Sequence, residues 1–188
     1  MKEQKMAAPV VLSDHEMVTV TSVDFRRARG CFATGVTVIT VEHEGDVHGM
    51  TANAFTTVSV DPPLVLVCVN RQNCTHEYLQ ARQRFGVNIL TESQRWISEF
   101  YALPTVVRCQ GSGTRACFSR TKRGTPILDG SLACLECRLQ EAYPAGDHTL
   151  FVAQVEEIIA GEGQPLLYFR GNYRAIERIG ETAKGGRQ

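Results

Sequence analysis

The chain has 188 residues, of which 43% are hydrophobic and 21% charged, and this composition suits one globular domain with a core of its own. The 20 basic and 20 acidic residues balance, which gives no electrostatic footprint for nucleic acid or for an anionic membrane. No apolar stretch approaches the roughly 20 residues that span a bilayer, and the N-terminus lacks the pattern of a signal peptide. We therefore expect a cytoplasmic protein without nucleic-acid or membrane partners.

The first predicted element is a short helix that begins near Ser22 and ends by Gly35. Three of its apolar residues fall close to one face: Phe25, Ala28 and Phe32. Residues 1–20 precede it as a flexible lead-in, and residues 179–188 form a flexible tail. The sequence thus predicts one domain over residues 21–178.

Strands dominate the rest of the chain. Runs of β-branched and apolar residues, bounded by turn residues and prolines, predict strands at 36–41, 47–55, 64–69, 85–90, 131–141, 149–159, 166–170 and 173–176. The run 64–69 is apolar throughout, which predicts a central strand covered on both faces. Helices are predicted at 75–81 and 94–101, and residues 104–126 read as one long loop. Many strands, few short helices and no βαβ alternation favour a closed or partly open antiparallel barrel.

Two patterns imitate cofactor or metal motifs. Cys134 and Cys137 have a metal-like spacing, but residues three apart on a strand point to opposite faces and no second pair follows. Gly111–Ala116 matches GxGxxA, yet the glycine and proline that follow leave no room for the helix that this motif requires. We therefore expect no metal site, and any dinucleotide would bind without a Rossmann domain.

Gly49–Phe55 is a candidate site for a flat heteroaromatic ring. Small and hydroxylated residues in this segment would let backbone amides approach a ring edge, and Asn53 offers both a hydrogen-bond donor and an acceptor. The alternative is a plain strand edge with a turn.

Cys68–His76 reads as a loop entering a helix. Free backbone N–H groups at a helix start, beside the hydroxyl of Thr75, form a natural phosphate site. The alternative is simply a capped helix.

Two further segments are weak on their own. Gly146–His148 is a turn between two strands, and a single histidine in a turn is usually a surface residue. The aromatic residues of Leu167–Tyr173 belong to a core more often than to a ligand site.

Taken together, these segments resemble the flavin reductase-like family, the short-chain NAD(P)H:flavin oxidoreductases of two-component flavin monooxygenases. The resemblance covers residues 24–176 and rests on the order and spacing of the segments 25–40, 49–55, 59–69, 85–90, 146–148 and 165–173. It implies a mainly β fold, an antiparallel split β-barrel of Greek-key type with a few short flanking helices. It also implies FMN or FAD and NADH or NADPH as cofactors, a homodimer and a monooxygenase partner.

The resemblance also implies roles for individual residues. The flavin ring would be lined by Gly49, Met50, Thr51, Asn53 and Ala54. The ring and ribityl chain would be flanked by Cys68, Val69 and Asn70. The phosphate would be held by Cys74 and Thr75, helped by Phe100. The nicotinamide would meet Gly146, Asp147 and His148, and His148 would orient it without transferring a proton.

The sequence departs from the family pattern at the phosphate loop. Such proteins often carry arginine and serine just before the threonine, where this chain has Asn73 and Cys74. Two alternatives to a flavin reductase stay open at this stage. One is a non-catalytic flavin-binding or electron-transfer protein, and the other is a split barrel recruited to a different cofactor, such as haem.

Overall fold

The computed structural model describes residues 19–109 and 116–177. Its helices are α1 (Ser22–Arg29), α2 (Cys74–Arg82), α3 (Arg95–Ala102) and α4 (Thr105–Cys109), with one 3-10 turn at Glu92–Gln94. In the described part of the chain, no helix is long and apolar enough to cross a membrane.

Seven strands form the main sheet, and every neighbouring pair is antiparallel. Its strands in chain order are β2 (Thr37–His43), β3 (Asp46–Ala52), β4 (Phe55–Ser59), β5 (Leu64–Asn70), β6 (Arg84–Ile89), β9 (Ala133–Ala145) and β10 (His148–Ala160). Their order in the sheet is β3-β2-β6-β9-β10-β5-β4. The remaining strands are short: β1 (Thr34–Gly35), β7 (Phe118–Arg120), β8 (Pro126–Leu128), β11 (Leu167–Phe169) and β12 (Asn172–Arg174). The predicted mainly β, split-barrel fold is confirmed.

The predicted continuous strand 47–55 is wrong. β3 ends at Ala52 and β4 begins at Phe55, so the chain breaks at Asn53 and Ala54. β3 pairs with β2, whereas β4 pairs with β5 on the other side of the sheet. At this break the chain changes its pairing partner from β2 to β5. The pattern of apolar residues gives no indication of that change.

The fully covered strand is β2 rather than β5. Residues Thr37–Val41 are all buried, because Ile39 and Val41 face the barrel interior while Val36 and Val38 face a second cluster around α3. β5 buries only alternate residues and leaves Leu64, Leu66 and Cys68 partly exposed. The apolar run 64–69 therefore predicted the strand β5 correctly, but the prediction that both of its faces are covered was wrong.

The prediction for α1 was partly wrong. The helix forms, and Thr21 caps it by accepting a hydrogen bond from the backbone N–H of Asp24. It ends at Arg29 with Gly30 as the cap, earlier than expected, and none of its residues is buried. Phe25 is 62% exposed and Phe32, just beyond the helix, 77% exposed.

Residues 104–126 are not one long loop. α4 occupies Thr105–Cys109, and β7 pairs with β8 near the end of the segment. Residues 110–115, which carry most of the GxGxxA pattern, lie outside the described residues, as do most of the lead-in and the tail.

Cys134 and Cys137 lie on opposite faces of β9. The Cys137 side chain belongs to the core cluster inside the barrel, whereas the Cys134 thiol donates to the carbonyl of Leu128 outside it. Burial raises the pKa of the Cys137 thiol to about 12, as expected for a small buried hydrophobe.

Candidate functional site

An open cleft of about 620 Å³ lies where the ends of β3 and β5 meet the start of α2 and the α3–α4 connection. Its lining comprises Arg29, Met50, Thr51, Ala52, Asn53, Ala54, Cys68, Asn70, Gln72, Asn73, Cys74, Tyr101, Ala102, Leu103, Pro104, Thr105 and His148. Its volume is in the range of small-molecule and cofactor sites.

One wall of the cleft is the free edge of the sheet. β3 stands first in the strand order and pairs only with β2, so alternate backbone N–H and C=O groups on its other edge lack a ladder partner among the described strands. The hydroxyl of Thr51 is already used, because it donates to the carbonyl of Ser98 at 2.7 Å. What this wall offers a ligand is therefore its backbone and the amide of Asn53.

The break after β3 connects this wall to β5. The backbone N–H of Cys68 donates to the carbonyl of Ala54 at 3.0 Å. Burial raises the pKa of the Cys68 thiol, so this side chain stays neutral in the cleft. Asn53 thereby lies between β3 and β5, which stand first and sixth in the strand order of the sheet.

Gly49 lies behind the wall and not on its surface. A Cβ at this position would lie 2.5 Å from the ring of Tyr101, so only glycine lets the strand approach α3 this closely. The carbonyl of Gly49 accepts a hydrogen bond of 2.8 Å from Nη1 of Arg108. Nη2 of Arg108 donates to the hydroxyl of Thr105, and its guanidinium lies 5.0 Å from the ring centre of Tyr101.

The opposite end of the cleft is formed by β5 and β10. Asn70 and His148 are direct partners in the register of these two strands, which places the predicted ribityl and nicotinamide residues side by side. The turn before His148 is fixed by Arg71, whose backbone N–H donates to the carbonyl of Asp147 and whose Nη2 donates to that of Gly146.

The Gly146 turn also orients the His148 ring. Gly146 has φ +62°, a conformation that favours glycine. A hydrogen bond of 2.7 Å joins Nδ1 of His148 to Oδ1 of Asp147, and this bond and the imidazole charge lower the pKa of Asp147. His148 thus presents its ring to the cleft from a defined position.

The start of α2 contains an unused hydroxyl. The Asn73 side chain caps the helix by accepting from the backbone N–H of Thr75 at 3.0 Å. The Thr75 side chain is fully buried, and its Oγ1 has no hydrogen-bond partner. Cys74, beside it, lines the cleft and contacts the Thr105 hydroxyl at 3.1 Å. A buried hydroxyl without a partner is costly unless a ligand satisfies it.

The charge of the cleft favours an anionic ligand. Arg29 is the cation among the lining residues, and no aspartate or glutamate belongs to the lining that the described residues form. A helix start adds partial positive charge near Asn73 and Cys74. A negatively charged phosphate would therefore be attracted by Arg29 and the start of α2, and no carboxylate of the described lining would repel it.

The structure brings most of the predicted site residues together. Eight of them line the cleft: Met50, Thr51, Asn53, Ala54, Cys68, Asn70, Cys74 and His148. Six do not line it: Gly49, Val69, Thr75, Phe100, Gly146 and Asp147. Of these six, Val69 and Thr75 are fully buried, and Phe100 packs in the cluster around α3 under the guanidinium of Arg108.

Sequence reasoning missed the wall formed by Leu103–Thr105 and the cation Arg29. The proline at 104 and the stretch after it read as a loop, so nothing in the pattern placed this segment beside the start of α2. At the start of α2, the local signal was Asn73, a good N-cap residue two positions before the predicted helix at 75–81.

Comparison with known proteins assigns the chain to a family. Residues 29–177 match the flavin reductase like domain family, and the chain belongs to this family. The cleft is therefore part of a flavin reductase-like split barrel.

Among its relatives is an NADH-dependent flavin reductase from a Rhodococcus species, 39% identical over 89% of this chain and 93% of the relative. Another is the NADH-dependent flavin reductase StyB of Pseudomonas fluorescens, 39% identical over 83% of this chain and 91% of its own. A solved structure of a Streptomyces globisporus NADH:FAD oxidoreductase in complex with NAD and FAD fragments is 34% identical, with a TM-score of 0.77, and covers 85% of this chain and 94% of that one.

Proposed function

We propose that this protein is an NAD(P)H:flavin oxidoreductase that supplies reduced flavin to a partner monooxygenase. The observation that carries the proposal is the cleft itself. It places a free strand edge, the helix start at Asn73 and Cys74 and the ring of His148 around one space, and the unpaired hydroxyl of Thr75 is buried next to Cys74 in the first turn of that helix. The names of the relatives add support, since several are NADH-dependent flavin reductases or reductase components of monooxygenases.

The residues present fit a flavin. The backbone of Met50–Ala52 and the amide of Asn53 would hold the ring edge, which carries both donors and acceptors. Cys68 and Asn70 would flank the ring and the ribityl chain. The start of α2 would hold the phosphate, and the hydroxyl of Thr75 would gain the partner that it lacks.

A bound flavin would supply the redox chemistry, since it can accept a hydride from the nicotinamide and a proton from water while the nicotinamide is oxidised. The chain contributes position and electrostatics to this reaction. The free edge of β3 would direct N–H dipoles at the ring atoms where negative charge develops. His148, held by Asp147, would fix the nicotinamide so that the two rings meet at a reactive separation of about 3–3.5 Å.

The experiment that tests this function is a steady-state assay of the purified protein. NADH and NADPH are each combined with FMN, with FAD and with no flavin, and oxidation is followed at the absorbance of the reduced nicotinamide. We expect oxidation only when flavin is present. Absence of oxidation with every combination would refute the proposal, and the same grid ranks the two flavins and the two nicotinamides.

We extend the proposal to a homodimer that acts in the cytoplasm. Apolar side chains are exposed on α1 and on the β4–β10 side of the sheet, and a second copy of the chain would cover such surface: Val23, Phe25, Phe32, Val58, Val60 and Ile158. Among the described residues, five cysteines are free, which suits a reducing compartment: Cys31, Cys68, Cys74, Cys134 and Cys137. Light scattering of the eluted protein tests the dimer, and a monomeric mass would exclude it.

A further inference from the structure

The tip of the β9–β10 hairpin, which carries His148, has support from one side only. Its turn at Gly146 and Asp147 is exposed, as are residues 140–145 before it. β6 pairs with β9 only as far as Arg138, so the end of β9 has no partner on that side among the described strands. What holds the tip to the barrel is therefore the contact between the start of β10 and the end of β5.

Arg71 completes this contact. The register of β5 and β10 ends where Asn70 faces His148, and Arg71 is the next residue of the chain. Its backbone N–H donates to the carbonyl of Asp147 at 3.0 Å, and its Nη2 donates to the carbonyl of Gly146 at 2.6 Å. One residue thus holds two successive carbonyl groups of the turn just before His148.

The side chain of Arg71 is directed to the hairpin and not to the cleft. Residues 72–74 line the cleft, whereas Arg71 does not. A hydrogen bond from a guanidinium to a carbonyl is charge-assisted and stronger than one between neutral groups. The hydrogen bond and charge of His148 lower the pKa of Asp147, and the charge of Arg71 adds to this effect. The guanidinium therefore stabilises both the backbone of the turn and the carboxylate that orients the His148 ring.

We propose that Arg71 is a positioning residue for the nicotinamide, because it holds the 146–148 turn so that the His148 ring faces the nicotinamide in one orientation. The inference rests on the proposed function. A ring that is ordered before the ligand arrives saves the free energy of ordering it during binding. Loss of the Nη2 contact should therefore weaken nicotinamide binding, while the walls of the cleft that would hold the flavin keep their contacts.

The main variant is Arg71→Gln, assayed with NADH and flavin varied in turn. The matched control is Arg82→Gln, since Arg82 is an exposed arginine that ends α2, pairs with Glu42 and does not line the cleft. We expect Arg71→Gln to raise the KM for NADH about fivefold, to leave the KM for flavin within about twofold and to leave the midpoint of urea unfolding unchanged. Arg71→Lys keeps the charge, so its KM for NADH should lie between those of wild type and Arg71→Gln. Arg82→Gln should change neither KM.

A double-mutant cycle with His148→Ala tests whether Arg71 acts through His148. In that background, Arg71→Gln should raise the KM for NADH by less than about twofold, because the ring that it positions is gone. A full additional rise would mean that Arg71 contacts the dinucleotide itself, and would overturn the inference. Equal rises in the KM for NADH and for flavin, or an unchanged KM for NADH in Arg71→Gln alone, would overturn it as well.

A binding measurement separates this inference from the proposed function. If wild type oxidises neither NADH nor NADPH with any flavin, the proposed function fails. The four proteins of the cycle are then titrated with NAD⁺ in the presence of oxidised FMN, a pair that does not react, and binding is followed by saturation-transfer NMR. The inference stands if Arg71→Gln weakens NAD⁺ binding only where His148 is present, and it fails with any other result.

Discussion

Nη1 of Arg108 donates a hydrogen bond of 2.8 Å to the carbonyl of Gly49, and this contact ties α4 to the strand that precedes the ring site. The same guanidinium donates to Thr105, whose hydroxyl contacts Cys74 at the start of α2. One side chain behind the cleft thus connects β3, through Thr105, with the start of α2.

Replacing Arg108 with glutamine should loosen both walls. We expect the free energy of unfolding to fall by about 1–3 kcal/mol, because the Gly49 carbonyl loses a charged donor, and the KM for flavin to rise more than kcat falls. Denaturant unfolding and flavin kinetics measure these effects. Arg108→Lys keeps the charge but not the planar guanidinium, so its stability and its KM for flavin should lie between those of wild type and Arg108→Gln. Unchanged flavin KM in Arg108→Gln would show that the link carries no positioning role.

The same variant should change the titration of His48. Burial, then the charge of His43, then that of Arg108 lower the pKa of His48. Loss of the guanidinium charge should therefore raise this pKa, whereas Arg108→Lys should leave it low. An NMR titration of the histidine ring protons reports it, and an unchanged value in Arg108→Gln would contradict the expectation.

Thr75→Val should separate stability from flavin binding. The hydroxyl has no partner in the protein, so its removal should leave the free energy of unfolding unchanged or slightly raised. Flavin affinity should fall several-fold, since a phosphate ligand loses a hydrogen bond. Thr40→Val is the matched control: its buried hydroxyl donates to the carbonyl of Pro126, so stability should drop by about 1 kcal/mol. A loss of stability in Thr75→Val without a loss of flavin affinity would reverse this interpretation.

Gly49→Ala should lower the free energy of unfolding, whereas Gly35→Ala should change it little. The new Cβ at Gly49 would lie 2.5 Å from the Tyr101 ring, whereas nothing lies within 4 Å of one at Gly35. We expect about 1–3 kcal/mol of destabilisation for the first and little for the second, measured by urea unfolding. Equal effects would mean that β3 does not need its close approach to α3.

His148→Ala should raise the KM for the nicotinamide and leave flavin affinity nearly unchanged, because His148 is proposed to face the nicotinamide. Steady-state kinetics with each substrate varied in turn distinguishes the two. A large loss of flavin affinity instead would assign His148 to the flavin.

Glu136 should make the fold sensitive to acid. Its buried carboxylate accepts hydrogen bonds from Arg84 and Thr125; burial alone would raise the pKa, but hydrogen bonds from Thr125, Thr121 and Arg84 outweigh burial and hold it below 4.5. The stabilisation is therefore complete above pH 4.5 and is lost as the pH falls through the lowered value.

Glu136→Gln should cost about 3 kcal/mol at neutral pH, and its difference from wild type should shrink below pH 4.5. The control is Glu99→Gln, an exposed partner of Arg95, which should change stability by less than about 1 kcal/mol. Urea unfolding at several pH values measures both. If the difference in the free energy of unfolding between wild type and Glu136→Gln stayed constant down to acidic pH, ionisation of Glu136 would not be the cause of the acid sensitivity.

The local sequence pattern predicted where most strands lie, but it did not predict which of their faces are buried or which strands pair with each other. The runs of valine and isoleucine in β2 and β5 have the same local preference for a strand, yet only β2 has the barrel interior on one face and α3 on the other. The stretch around Asn53 reads as one strand because its residues alternate suitably. The break at Asn53 arises because β3 pairs with β2 whereas β4 pairs with β5, and both pairings join residues that are distant in the chain.

The sequence by itself determined the family and the split barrel, since these depend on residue types and on the order of segments along the chain. It also singled out eight residues that the structure places around one cleft. Only the tertiary structure decided that α4 contacts the start of α2, that Arg108 joins α4 to Gly49, and that α1 and the β11–β12 hairpin enclose a second cavity. The physical reason is that each of these features joins residues distant in the chain, and no local preference encodes which of them meet.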